Sequence, residues 1–156
     1  GLATAFIKGL VGRIDEGTTF LRGRFANSFS VASRPYGPSR LAVGTGDTVE
    51  AFTSNEMSWK NDEQTGQLPF SAEGTFMESD LDPDQNLHIV LIRPSGGNFE
   101  VWYMGQEKKQ WKSPELVTTL HGKDEMRGFD IAASDRYVYI AVSQGFEGKI
   151  LRKKLK

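Results

Sequence analysis

The sequence contains no cysteine and only two histidines among its 156 residues. Without cysteine, the chain can form neither a disulfide nor a zinc site with cysteine ligands. His88 and His121 have no acid–base or metal-ligand spacing around them, so we expect no metal site and no cofactor. No apolar run approaches the roughly 18 residues of a membrane-spanning helix.

The charge is nearly balanced, with 19 Lys and Arg, 20 Asp and Glu, and a formal net charge of −1. This balance gives no overall attraction to nucleic acids or acidic membranes. The basic end KILRKKLK (149–156) is the local exception, and we interpret it as an edge strand, because lysines on an edge oppose aggregation. The sequence has no phosphate-binding loop, G-x-S-x-G or H-E-x-x-H motif. We therefore expect neither an enzyme nor a nucleic-acid-binding protein.

Short strand signals separated by turn residues dominate the chain after residue 17. Segments between residues 39 and 155 combine β-branched and aromatic residues with bounding Gly, Pro, Asn, Asp or Ser. Their spacing of about 8–12 residues predicts an all-β fold. Residues 18–33 fit one long strand or a hairpin, and the polar residues 55–67 are predicted to be a loop.

The first 17 residues follow a different pattern. Leu2, Phe6, Leu10 and Ile14 recur every four residues, which predicts a short amphipathic helix. This helix either packs on the core of its own domain or docks a partner. The chain begins with Gly1 rather than Met, so we expect a processed or tag-derived terminus. We divide the chain into an amphipathic N-terminal segment, 1–17, and a single all-β repeat domain, 18–156.

The strand signals recur as a unit. Asp80 and Asp130 lie at the same place in two matching stretches, offset by 50 residues, each before a short turn and an apolar run. A shorter version precedes the Gly-Thr-Gly-Asp turn at 44–47, and Trp59 and Trp111 follow their strands at an offset of 52. Three units of about 45 residues, each an antiparallel meander, are therefore predicted.

These units resemble blades of known propellers. Residues 80–117 resemble a blade of the sialidase-like or lectin-type β-propellers, with an inner strand, two further strands and a tryptophan-bearing turn. The likeness extends over residues 38–156. Of the sialidase-like Asp-box, S-x-D-x-G-x-x-W, only the tryptophan is present, because Met104 and Gln106 occupy the Ser and Asp positions before Trp111. The resemblance implies β-propeller-like repeated antiparallel meanders, as a partial propeller or part of an assembly. A β-sandwich is the alternative.

The same resemblance implies ligand-binding residues. Glu100 and Trp111 match positions on the third strand and following turn of the fucose-type lectin propellers. Arg93, at the end of the second strand, is the nearest substitute for the arginine that those lectins use. Trp59 lies in polar surroundings like those of Trp111 and completes the candidate set. In the alternative interpretation, both tryptophans pack over a blade edge.

Two local features are interpreted as structure rather than as sites. The D-x-D-x-D spacing that begins at Asp80 resembles a calcium loop, but Pro83 suits the second position of a turn. Trp102 and Tyr103 are neighbours in a predicted strand, so they point to opposite faces. At least one of the two is therefore expected in the core.

We predict a non-catalytic carbohydrate-binding, lectin-like propeller module. A structural or assembly protein of a larger complex or particle is the alternative, and a glycosidase fragment, which would need an arginine cluster and a tyrosine nucleophile, is less favoured. The expected partner is a glycan or another protein subunit. Because three units fall short of the roughly 4–8 blades of a propeller, we expect a homo-oligomer or part of a larger chain.

Overall fold

The computed structural model describes residues 4–5, 18–19, 26–55, 58–122 and 125–155. Every regular element in these ranges is a β-strand, which confirms the all-β prediction. The strands are β1 (Thr4–Ala5), β2 (Thr18–Thr19), β3 (Ser28–Ala32), β4 (Arg40–Thr45), β5 (Thr48–Asn55), β6 (Ser58–Gln67), β7 (Phe76–Leu81), β8 (Leu87–Ser95), β9 (Asn98–Glu107), β10 (Gln110–Trp111), β11 (Glu115–Leu120), β12 (Met126–Ala133), β13 (Tyr137–Gln144) and β14 (Glu147–Lys154). Within the same ranges, no helix is long and apolar enough to cross a membrane.

Three antiparallel meanders make up most of the described chain. The first sheet has the strand order β3-β4-β5-β6, and the third has the order β12-β13-β14. The second sheet runs from β7 through β8 to β9, and both β10 and β11 pair with β9. β1 and β2 form a separate antiparallel pair. The helix predicted over 1–17 lies outside the described residues except at Thr4–Ala5, which are in β1.

The central hairpins of the three sheets repeat one turn geometry. Gly46, Gly96 and Gly145 begin these turns with φ angles of 57°, 57° and 56°. They connect β4 to β5, β8 to β9 and β13 to β14, at separations of 50 and 49 residues. Glycine adopts such left-handed angles without a steric penalty, which suits the tight turns of β-hairpins.

The first strand of each sheet lies beside the first strand of the next. The hydroxyls of Ser30 in β3 and Ser79 in β7 are 2.8 Å apart. Between β7 and β12, Asp80 Oδ2 accepts a hydrogen bond of 2.7 Å from the backbone N–H of Ala133. β3, β7 and β12 therefore form a contiguous inner row of strands.

Arg34 joins all three sheets at one end of this row. It follows β3, and its Nε donates to the carbonyl of Leu81 at 2.7 Å. Its Nη2 donates to the carbonyl of Ala133 at 2.9 Å. A single guanidinium thus contacts the ends of both β7 and β12.

Two apolar layers hold the sheets face to face. The layer between the first and second sheets consists mainly of small residues from the first and large residues from the second: Ala42, Val49, Ala51, Leu87, Ile89, Leu91 and Met104. The layer between the second and third sheets is aliphatic: Val90, Ile92, Val101, Ile131, Val138, Ile140 and Val142. Because β8 contributes to both layers, it is buried on both faces.

The loop predicted over residues 55–67 is wrong, because Ser58–Gln67 form the strand β6. β6 pairs antiparallel with β5 and is the outermost strand of the first sheet. Its residues are mostly polar, and most of its side chains are exposed or half-buried. A strand with so little buried surface does not show the apolar alternation of an inner strand, so its sequence resembles that of a loop. Of residues 18–33, the structure places 18–19 in β2 and 28–32 in β3.

Candidate functional site

Two of the predicted ligand-binding residues face each other across the β8–β9 hairpin. Arg93 and Glu100 are paired positions of the two strands. The Nη1 of Arg93 donates to Glu100 Oε2 at 3.2 Å. Their side chains are 37% and 21% exposed, respectively, so a ligand can reach both. The hairpin register brings this acid–base pair together from a sequence separation of seven residues.

Two aromatic residues complete the group, which we call the Arg93 cluster: Arg93, Glu100, Trp102 and Phe70. Trp102 lies two positions after Glu100, so both side chains are on one face of β9. Its indole Nε1 donates to Glu100 Oε2 at 2.9 Å. The rings of Trp102 and Phe70 are 5.1 Å apart at 57°, and the Arg93 guanidinium lies 4.9 Å from the centre of the Phe70 ring.

The Arg93 cluster lies at the seam between the first and second sheets. Phe70 belongs to the segment that connects β6 to β7, and it is buried in the apolar layer between the two sheets. Trp102 is half-buried and packs against the same layer. The rings are thereby fixed by the core, while the guanidinium and the carboxylate remain partly exposed.

The carboxylate of Glu100 is held in its ionised form. The hydrogen bond from Trp102 lowers the pKa of Glu100, and the charge of Arg93 and hydrogen bonds from Arg93 and Ser95 act in the same direction against a slight burial. An ionised carboxylate only accepts hydrogen bonds, whereas a guanidinium only donates them. The cluster therefore presents an acceptor and a donor side by side, beside an aromatic surface.

The other two predicted residues lie elsewhere. Trp111 packs against the layer between the first and second sheets, and its Nε1 is buried without a hydrogen-bond partner among the described residues. Trp59 packs against Leu41, Val43 and Phe52, on the face of the first sheet that points away from the second. The structure thus brings Arg93 and Glu100 together, but neither tryptophan joins them. Trp102, which the sequence interpretation did not select, supplies the aromatic group.

A second group of polar residues lines a cleft of about 430 Å³ between the second sheet and the end of the third. His88 Nδ1 lies 2.8 Å from the hydroxyl of Tyr103, and His88 Nε2 lies 3.2 Å from Asp82 Oδ2. Burial lowers the pKa of His88 and raises that of Tyr103. A protonated tyrosine therefore donates to a neutral histidine, which in turn donates to the carboxylate.

Asp82 also caps its own turn. Its Oδ1 accepts the backbone N–H of Asn86 and its Oδ2 accepts the Asn86 amide, each at 2.9 Å. Burial alone would raise the pKa of Asp82, but the hydrogen bonds from Asn86 and His88 outweigh it and lower the pKa. Gln85 N donates to Asp82 O at 3.0 Å, so Pro83 occupies the second position of a turn, as predicted. Among the described residues, no group of three or more His, Asp or Glu side chains is placed to bind a metal ion.

The network of Asp82, His88 and Tyr103 has a structural role. His88 is 1% exposed and Tyr103 is 5% exposed, and the hydrogen bonds between them use both ring nitrogens of the histidine. Of the two polar groups, the Arg93 cluster is the more accessible. It is therefore the better candidate for binding a ligand.

No protein-family model matches the sequence, and no curated protein is significantly similar to it.

Proposed function

We propose that the protein is a non-catalytic carbohydrate-binding module with the arrangement of a partial β-propeller. The observation that carries the binding proposal is the partly exposed Arg93–Glu100 pair beside Trp102 and Phe70. The propeller arrangement is supported by three stacked antiparallel meanders whose first strands form one inner row, because propeller blades are antiparallel sheets of four strands around an axis.

The cluster suits a neutral sugar with neighbouring hydroxyl groups. One hydroxyl would donate to the Glu100 carboxylate and its neighbour would accept from the Arg93 guanidinium. Hydrogen bonds to charged groups contribute about 1.5–3 kcal/mol each. The apolar side of the sugar ring would rest on the partly exposed Trp102 ring, since aromatic rings offer apolar contact area. Because the charges of Arg93 and Glu100 cancel, the cluster favours neutral over acidic sugars.

Two observations support a non-catalytic role. The arginines that a sialidase-type site would need in one cluster are engaged separately: Arg34 with backbone carbonyls, Arg40 with Asp62, and Arg93 with Glu100. A glycosidase acid requires a raised pKa, whereas the pKa of Glu100 is lowered. The glycosidase alternative predicts hydrolysis of any glycan that binds, which chromatography of the glycan after incubation would reveal.

Binding to a glycan array, followed by titration calorimetry, tests the proposal. Glu100→Gln keeps the shape of the side chain but removes its charge, and we expect about tenfold or greater loss of affinity, corresponding to at least ~1.4 kcal/mol. Glu107→Gln is the matched control, because Glu107 is also paired with a cation, Lys112, at 2.7 Å. Equal affinities of the two variants, or no binding of any glycan by the wild type, would contradict the proposal.

A second function, assembly into a larger complex, is favoured by the outer face of the third sheet. Ile150 is 76% exposed there, and Phe146 at the adjoining turn is fully exposed. Ile150 follows the hairpin glycine Gly145 at the same distance in sequence as Ala51 follows Gly46 and Val101 follows Gly96. Ala51 and Val101 are both fully buried against the following sheet. We therefore expect light scattering at micromolar concentration to give a multiple of 17.3 kDa, and a stable monomer would contradict assembly through this face.

A further inference from the structure

Among the residues that the structure describes, the third sheet has an open edge where the other two sheets hold a further strand. β5 is the third strand of the first sheet and pairs with β6, and β9 of the second sheet pairs with β10 and β11. β14 has the equivalent place in the third sheet. Within the described ranges, β14 pairs with β13 alone.

The register of β14 shows which backbone groups face the open edge. Gln144 and Glu147 close a two-residue turn, so residues 147, 149, 151 and 153 exchange hydrogen bonds with β13. The bond of 2.8 Å from Leu155 N to Arg136 O continues this alternation. The backbone N–H and C=O groups of the intervening residues therefore point to the open edge. These residues are Gly148, Ile150, Arg152 and Lys154.

The charge of β14 selects the kind of strand that can pair with it. Lys149, Arg152, Lys153 and Lys154 are all cationic, and Lys153 Nζ binds Glu115 of the second sheet at 2.8 Å. Pairing of β14 with a second copy of itself would bring two strands of net positive charge side by side, and their like charges would repel each other. A strand with acidic side chains opposite Arg152 and Lys154 would instead be complementary.

We propose that the open edge of β14 binds an extended acidic segment of a protein partner, which adds as the fourth strand of the third sheet. In such strand addition, main-chain hydrogen bonds provide affinity and alternate side chains provide specificity. The segment would carry acidic residues opposite Arg152 and Lys154 and an apolar residue opposite Ile150, which is 76% exposed. This interaction is independent of the Arg93 cluster.

The test is nuclear magnetic resonance of the ¹⁵N-labelled full chain with the synthetic octapeptide Thr-Glu-Thr-Glu-Thr-Val-Thr-Thr. Its two Glu residues and its Val occupy alternate positions, so that in antiparallel pairing they lie opposite Lys154, Arg152 and Ile150 on one face of the sheet. We expect the amide signals of Gly148, Ile150, Arg152 and Lys154 to shift. Their exchange with solvent should slow by about tenfold or more on binding, because free-edge amides become hydrogen-bonded. The amides of residues 149, 151 and 153 should change little, since they are already bonded to β13.

A matched pair of variants separates backbone pairing from side-chain contact. Ile150→Pro removes one edge-facing N–H without removing a bond to β13, and proline is tolerated on edge strands. Ile150→Thr shortens the side chain similarly but keeps the N–H. We expect Ile150→Pro to lower the peptide affinity by about tenfold or more and Ile150→Thr by less than about threefold. If Ile150→Pro does not fold by circular dichroism, a peptide with N-methylated alternate amides makes the same comparison on wild-type protein.

Three results would overturn the proposal. The first is the absence of alternating amide protection at peptide concentrations up to about 1 mM, the weak limit of specific binding. The second is equal binding of a peptide with Lys in place of Glu. The third is binding of DNA or of a second copy of the chain at this edge in place of the acidic peptide.

Discussion

Replacing Gly105 with alanine probes the buried hydrogen bond between Tyr103 and His88. A Cβ atom at position 105 would lie 2.3 Å from the Tyr103 hydroxyl and 2.8 Å from His88 Nδ1. Both contacts are closer than a Cβ tolerates, so the hydroxyl must move and the 2.8 Å hydrogen bond is lost. A buried group left without its partner costs about 1–3 kcal/mol, and two groups are affected here. We expect the free energy of unfolding to fall by roughly 2–4 kcal/mol.

Urea denaturation at pH 7.5 measures this loss, with Gly148→Ala as the control. A Cβ at position 148 has no neighbour within 4 Å, so Gly148→Ala should change stability by no more than about 0.5 kcal/mol. Tyr103→Phe removes the clashing hydroxyl, so the double variant with Gly105→Ala should cost less than the sum of the single variants by about 0.5 kcal/mol or more. A loss of stability in Gly105→Ala as small as that of the control, or additive losses in the double variant, would show that the Tyr103 hydroxyl is not displaced.

Three further predictions follow from the charged residues. Because burial lowers the pKa of His88 below 6.5, the unfolded chain binds its proton more readily. The urea midpoint should therefore decrease as the pH falls from 7.5 through 6.5, and an increase would contradict the neutral His88. Burial and the charge of Asp130 raise the pKa of Glu78, so Glu78→Gln should raise the melting temperature at pH 7 but not at pH 4, as calorimetry can show. Replacing Arg34 with lysine removes the forked contact of its guanidinium with the Leu81 carbonyl, so the free energy of unfolding measured in urea should fall by about 1.5–3 kcal/mol. An unchanged free energy of unfolding would show that Arg34 contributes no net stabilisation.

The repeated meander could be predicted because its signals are local. The glycine turns, the bounding polar residues and the apolar strands recur at nearly constant spacing, and each depends only on backbone geometry or strand periodicity. The opposite facing of Trp102 and Tyr103 also follows from strand periodicity and is confirmed by their separate apolar layers. β6 was not predicted as a strand because it is peripheral and buries little surface, so its sequence does not alternate between apolar and polar residues.

Half of the candidate site could be predicted for the same reason. Once the turn at residues 96–97 is known, the hairpin register places Arg93 opposite Glu100. The aromatic partner could not be chosen locally: Trp111 has polar neighbours in sequence, yet its ring packs beside Gly66 of another sheet. Trp102 lies within an apolar stretch, yet it is only half-buried, and its ring contacts Phe70 of the β6–β7 connection at the seam. Contacts between sheets decide both outcomes, and the sequence of a single strand does not contain them.

The most direct test of carbohydrate binding at the Arg93 cluster uses the indole N–H signals of the three tryptophans. Variants with Trp→Phe at each position assign the signals, and a glycan selected on the array is then titrated into the ¹⁵N-labelled protein. We expect a saturable shift of the Trp102 signal, because its Nε1 donates a hydrogen bond to Glu100, together with shifts at Arg93. Shifts confined to Trp59 or Trp111, or no shift at saturating glycan, would contradict carbohydrate binding at this cluster.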